Sequence, residues 1–184
     1  MMLLTAGMLA AAWGCGAGRI IVNVDVGSFL STEDANPTYG QVIPIPPGLP
    51  PVSIPIGPRV VEIPEGLQGV TDIEDADLSV LATVENESGS GVLGLRFFLA
   101  RPGDDLFAGE PAAVFLVDLV PGETARVEDT VVLTEPARSF LHDAEIQFGY
   151  ELLLDGSGST EALQGAVRIE DLMIRVVNDP NLGG

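Results

Sequence analysis

The sequence contains no lysine: its eight basic residues are all arginine, set against 27 acidic ones, for a formal net charge of −19 over 184 residues. A chain so poor in positive charge has no footprint with which to neutralise phosphates, and this excludes a nucleic-acid partner. It has one cysteine, Cys15, and one histidine, His142. A lone cysteine closes no intramolecular disulfide, and one Cys with one His fall short of the three or four ligands a zinc site needs. No Gly-x-Ser-x-Gly elbow presents a serine nucleophile to that histidine. His142 therefore reads as a structural residue at the end of a short helix, where it helps satisfy terminal carbonyls. The absence of any Gly-X-Y or heptad period rules out collagen and coiled coil. What is there is apolar: 46% hydrophobic residues and a mean hydropathy of +0.35, despite the charge. That excludes disorder of the whole chain and suffices for one domain with its own core, with or without an arm.

Residues 1–14 carry no charge and end at Cys15. The run is shorter than the ~20 residues that cross a bilayer, and it has the length of the apolar region of a secretory signal. Ala12-Trp13-Gly14-Cys15 resembles the lipobox of bacterial lipoproteins, in which a small residue precedes the cysteine that receives a lipid and becomes the new N-terminus. The resemblance implies a signal peptide at 1–14, lipidation of Cys15, a membrane contact through that lipid, and an extracytoplasmic place in a bacterial cell envelope.

Beyond Cys15 the chain divides into a spacer and first strand (15–30), a polar loop with a proline-rich arm (31–66), and a region of regular alternation (67–184). Ile20, Val22, Val24 and Val26 share one parity, the mark of a strand with one buried face. Residues 31–40 are polar and turn-forming and read as a loop. Eight prolines stand between Pro44 and Pro64, interleaved with Ile43, Ile45, Ile54, Ile56, Val60, Val61 and Ile63. Proline cannot donate to a central ladder, so an edge strand or a polyproline II arm remains. Side chains this apolar predict an arm that packs rather than a free linker; a ligand for SH3 or WW readers is the alternative.

From Leu78 onward, segments at 78–85, 92–100, 112–119, 123–134, 144–154 and 163–177 favour strand, separated by Gly-, Pro- and Ser-rich turns. One short helical window, 135–143, opens with Thr134 as its cap and Pro136 in its first turn. In the last segment the apolar parity shifts between Ile169 and Leu172, which predicts a bulge near Glu170-Asp171. The fold expected is all-β: an Ig-like antiparallel β-sandwich with an N-terminal strand and a proline-rich extended arm. Val84-Glu-Asn-Glu-Ser-Gly-Ser-Gly, and later Leu119-Val-Pro-Gly-Glu-Thr-Ala-Arg-Val127, are similar to turns of extracellular Ig-like sandwiches of the CARDB type and of WHy-type sandwiches. That resemblance, over residues 78–134, implies a binding or structural module and carries over no catalytic residue.

Oxygen ligands are plentiful, so calcium is the metal to weigh, with candidates at Asp72, Asp75 and Asp77, at Asp104 and Asp105, and at Asp155. The alternative is that these are solvated turns on an acidic surface, since the acids are spread along residues 25–179 without a run of five. No cofactor other than calcium is implied. The function expected is non-catalytic, a lipid-anchored binding or structural module of the cell envelope. The second expectation is a self-associating subunit of a surface structure, and the third an envelope hydrolase, which would need a cleft lined by perturbed carboxylates.

Overall fold

The computed structural model describes residues 20–42, 50–65, 67, 73–157 and 159–178. Among these residues nine strands run in chain order: β1 (Ile20–Asp25), β2 (Thr38–Val42), β3 (Val52–Glu62), β4 (Ile73–Ser88), β5 (Gly91–Ala100), β6 (Ala113–Leu119), β7 (Thr124–Val132), β8 (Glu145–Asp155) and β9 (Leu163–Asn178). They form two antiparallel sheets, one ordered β1-β9-β4-β7 with β2 also on β9, the other β3-β8-β5-β6. The chain is an all-β, Ig-like antiparallel sandwich.

Alternation explains the layers. Leu78, Val80, Ala82 and Val84 of β4 and Val167, Ile169, Leu172, Ile174 and Val176 of β9 point into the gap. Ile146, Phe148, Tyr150, Leu152 and Leu154 of β8 and Leu93, Leu95 and Phe97 of β5 meet them from the other sheet. Phe97 lies at the centre of the second layer, with the rings of Phe115, Phe148 and Tyr150 5.6–6.1 Å away. The parity shift in β9 is a bulge: Leu81 opposes Asp171 while Ala82 opposes Ile169, leaving Glu170 as the extra residue. One inserted residue lets both halves of β9 bury their apolar sets on the same side.

The described part of the proline-rich stretch, from residue 50 on, takes its place at a sheet edge. Among the described residues β3 pairs with β8 alone, through a register from Val52–Leu154 to Glu62–Glu145 with a bulge between Ile56 and Arg59. Pro55 and Pro58 are tolerated because an edge strand bonds on one side only. Ile56 and Val61 are buried against the core and Ile54 packs partly against it. Ile43 and Ile45 lie outside the described residues.

Three local readings are corrected. Residues 31–40 are not one loop: Ser31 caps a four-residue helix, α1 (Thr32–Ala35), in a reciprocal capping box with Asp34, and Thr38 opens β2. Tyr39 of β2 is fully buried, its hydroxyl donating to the Glu85 carbonyl at 3.2 Å. The window 135–143 holds only α2 (Ala137–Phe140), whose N-cap is Pro136 with no side-chain cap; Thr134 contributes its carbonyl to the Arg138 N–H at 3.1 Å. β4 starts at Ile73, five residues before Leu78, because Ile73 and Ala76 bury within an otherwise acidic run.

Candidate functional site

The turn motifs at 84–91 and 119–127 meet in space. The Asn86 N–H donates to the Glu123 carbonyl at 3.0 Å, and the Gly122 N–H donates to the Asn86 carbonyl at 2.8 Å. The buried Asn86 side chain donates to the Gly89 carbonyl at 2.8 Å. Gly89 (φ +73°) and Gly122 (φ +75°) occupy the left-handed region that a Cβ disfavours. The crossing from β6 to β7 is thereby stapled to the end of β4.

A second polar knot closes the open side between the sheets. Asp34 of α1 accepts from the Ser31 N–H (3.2 Å) and hydroxyl (2.7 Å) and from Arg59 Nε (2.9 Å), and pairs with the Arg59 guanidinium a second time. The Tyr150 hydroxyl donates to the Asp34 carbonyl. Burial works to raise the Asp34 carboxyl, but the Ser31 and Arg59 hydrogen bonds outweigh it and hold its pKa below the usual aspartate range. Burial pushes both phenols up, Tyr39 to about 12 with Glu87 adding to it, and Tyr150 further still with Asp34 adding to it. Asp34 thus ties Ser31 to the Arg59 side chain, and both tyrosine hydroxyls bond backbone carbonyls.

His142 lies just past α2. Its backbone N–H, not its ring, reaches a helix carbonyl, that of Ser139 at 3.4 Å, and the buried Nδ1 has no hydrogen-bond partner. Cys15 and Asp72 lie outside the described residues. Asp75 caps its own neighbour, accepting from the Ala76 N–H at 3.0 Å, while Asp77 accepts from Arg175 at 3.2 Å on the outer face of β4. Asp105 accepts from the Phe107 N–H at 3.3 Å, capping the 3-10 turn at 106–108, with Asp104 exposed beside it. Asp155 accepts from the Ser157 N–H at 2.9 Å, and that hydroxyl-bearing turn lowers its pKa. Among the described residues, no three His, Cys, Asp or Glu side chains gather as a metal site.

Two shallow clefts flank the β9 bulge. One of about 190 Å³ is lined by Asp25, Ser28, Glu170 and Asp171 among others; the other, of about 420 Å³, by Ser79, Glu128, Asp129, Thr130 and Asp171. Neither has a histidine in its lining, and Glu128 of the second is paired with Arg126 at 3.4 Å. Asp25 is taken up by the Ser28 N–H (3.0 Å) and Glu170 by the Thr83 hydroxyl (2.6 Å).

The outer face of the second sheet is different in character. Gly94 of β5 stands between Leu153 of β8 and Leu116 of β6, which come within 3.5 and 3.7 Å of where a Cβ would be. The next row is polar and paired: Arg96 lies 2.8 Å from Glu151, which also accepts from Ser53. Further along, residues 101–112 fold over the sheet, so that Phe98, Ala100 and Leu106 are buried together with Phe107 against them. What stays open is the β6 end, where Leu116 is 73% and Val114 44% exposed. Sequence reasoning missed this face, although 113–119 is apolar at both parities, which in a strand means that the outward side is apolar too.

No protein-family model matches the chain, and no curated protein does. Among solved structures, those of infectious bursal disease virus of the Gx and Gt strains are similar at 11% and 12% identity, with TM-scores of 0.48 and 0.47. These cover 97% and 96% of this chain, which spans 38% of the length of either viral chain. The lectin UEA-II complexed with galactose is similar at 12% identity and a TM-score of 0.35, over 86% of this chain and 98% of the lectin.

Proposed function

We propose that this protein is a lipid-anchored, non-catalytic binding or structural module of a bacterial cell envelope. The observation that carries the reading is the uncharged apolar run closing on Gly14-Cys15, with the chain's one cysteine five residues ahead of the first residue of β1. A lipid on Cys15 would hold the sandwich at the membrane surface by β1, leaving the opposite parts of both sheets free to meet a partner. A single acyl chain binds a bilayer only marginally, so stable anchoring calls for more than one chain on that residue. The commitment of Asp34, Tyr39, Asn86 and Tyr150 to backbone and cross-sheet bonds supports a scaffold role over a reactive one. Feeding cells an alkyne-bearing fatty acid tests the reading. Wild-type protein is expected to take up the label and Cys15→Ser to lose it; equal labelling of both removes the anchor and the envelope address with it.

A further inference from the structure

Each sheet of this sandwich ends in strands whose free side could recruit another chain, and the ends are not protected alike. β3 carries Pro55, Pro58 and a bulge. β7 carries Arg126, Glu128 and Asp129, and β1 and β2 are six and five residues long. β6 is the least protected of them. Its seven residues hold no proline, no glycine and one charge, Asp118, and among the described residues it pairs with β5 alone. Its outward Leu116 continues the apolar row through Gly94 to Leu153, and its outward Val114 stands opposite Arg96 on the next row.

We propose that the free edge of β6 is a docking site for an extended, basic segment of another protein, added as a further strand. The charge of the edge selects the occupant. Asp118 lies on β6, Glu123 in the turn that follows it and Asp129 on β7, whereas Arg126 and Glu128 lie on the outer face of the other sheet, 3.4 Å from each other. Asp118 stands on the outer face of β6, two residues along from Leu116. Asp129 has the core-facing parity of Val127 and Val131 yet is exposed, on the strand that contacts β6 across the layers. A strand laid beside β6 thus meets apolar side chains opposite Val114 and Leu116 and carboxylates next to them. It is matched by apolar residues at alternate positions, followed by Arg or Lys. A second copy of this chain matches poorly: its β6 brings another Asp118 and no base, and each copy carries a net charge of −19. Main-chain bonds would supply affinity, and the alternating side chains selectivity.

The inference names the partner chemistry of the binding-module reading, and its test involves no membrane, so failure here leaves the fatty-acid labelling result untouched. The probe is the peptide acetyl-Thr-Arg-Thr-Val-Lys-Val-Thr-amide, titrated into the purified, nitrogen-15-labelled full chain, with a control in which Glu replaces Arg and Lys. The basic peptide is expected to shift the amides of residues 113–119 and to bind at least about tenfold more tightly than the acidic one, the gap closing at high salt. Asp118→Lys, checked for an unchanged melting temperature, is expected to narrow or reverse the preference. Equal binding of both peptides, no shift at 113–119, or a homodimer through β6 that the basic peptide does not displace would each overturn the proposal.

Discussion

Asp34 shows how one exposed-looking acid can fix a fold. It belongs to a four-residue helix too short to hold itself, yet its carboxylate gathers Ser31 and Arg59 while its carbonyl takes the Tyr150 hydroxyl. Those bonds tie the β1–β2 connection to β3 and β8 of the opposite sheet. Replacing it with Asn keeps an acceptor for Ser31 and removes the charge facing Arg59. Arg59 is partly exposed, so the loss at neutral pH is expected to be only about 1 kcal/mol. Its pH dependence carries the sign: a carboxyl lowered in the folded state stabilises fully above its unfolded pKa of about 4 and loses that contribution as pH falls through the folded value. Urea melts of wild type and Asp34→Asn are therefore expected to differ at pH 7 and to converge as pH falls through the lowered folded-state value. A gap that persists unchanged into acid would refute the assignment.

At the scale of elements, the strands whose neighbours impose simple alternation were legible: β4 from Leu78, β8, and both halves of β9 with the bulge between them. The proline-rich stretch was legible by exclusion, because a strand lacking donors has to be an edge. What escaped was decided at long range. Tyr39 is buried through a bond to a residue 46 positions away, and nothing in its polar neighbourhood signals that. The Ser31-x-x-Asp34 spacing, by contrast, was a readable helix start. Of the candidate site, the residue types were legible and the placement was not: the acidic turns are caps and surface pairs, whereas the open apolar row across β5, β6 and β8 needs the sheet order to be seen. The loop at 101–112 depends on a close approach to β8. A Cβ on Gly149 would lie 2.7 Å from Leu106 Cδ2 and 2.8 Å from the Ile56 carbonyl oxygen. Gly149→Ala is expected to cost about 1–3 kcal/mol by overpacking, and to make the 106–108 turn the first site cut by chymotrypsin. An unchanged melting temperature with an unchanged cleavage pattern would show that the loop is not seated through this glycine.

For the molecule as a whole, charge and address belong together. A net charge of −19 favours solubility and opposes contact with anionic headgroups. Such a protein stays at a membrane only if something other than its surface holds it there. A lipid on Cys15, as proposed above, would do this while leaving the acidic faces turned to the basic partner proposed for β6. The most direct measurement is the intact mass of the protein extracted from the membrane fraction of its host. The account predicts a chain that begins at Cys15 and carries added acyl mass on its first residue. A membrane-free chain that retains residues 1–14, or one that starts elsewhere with no added mass, would contradict it.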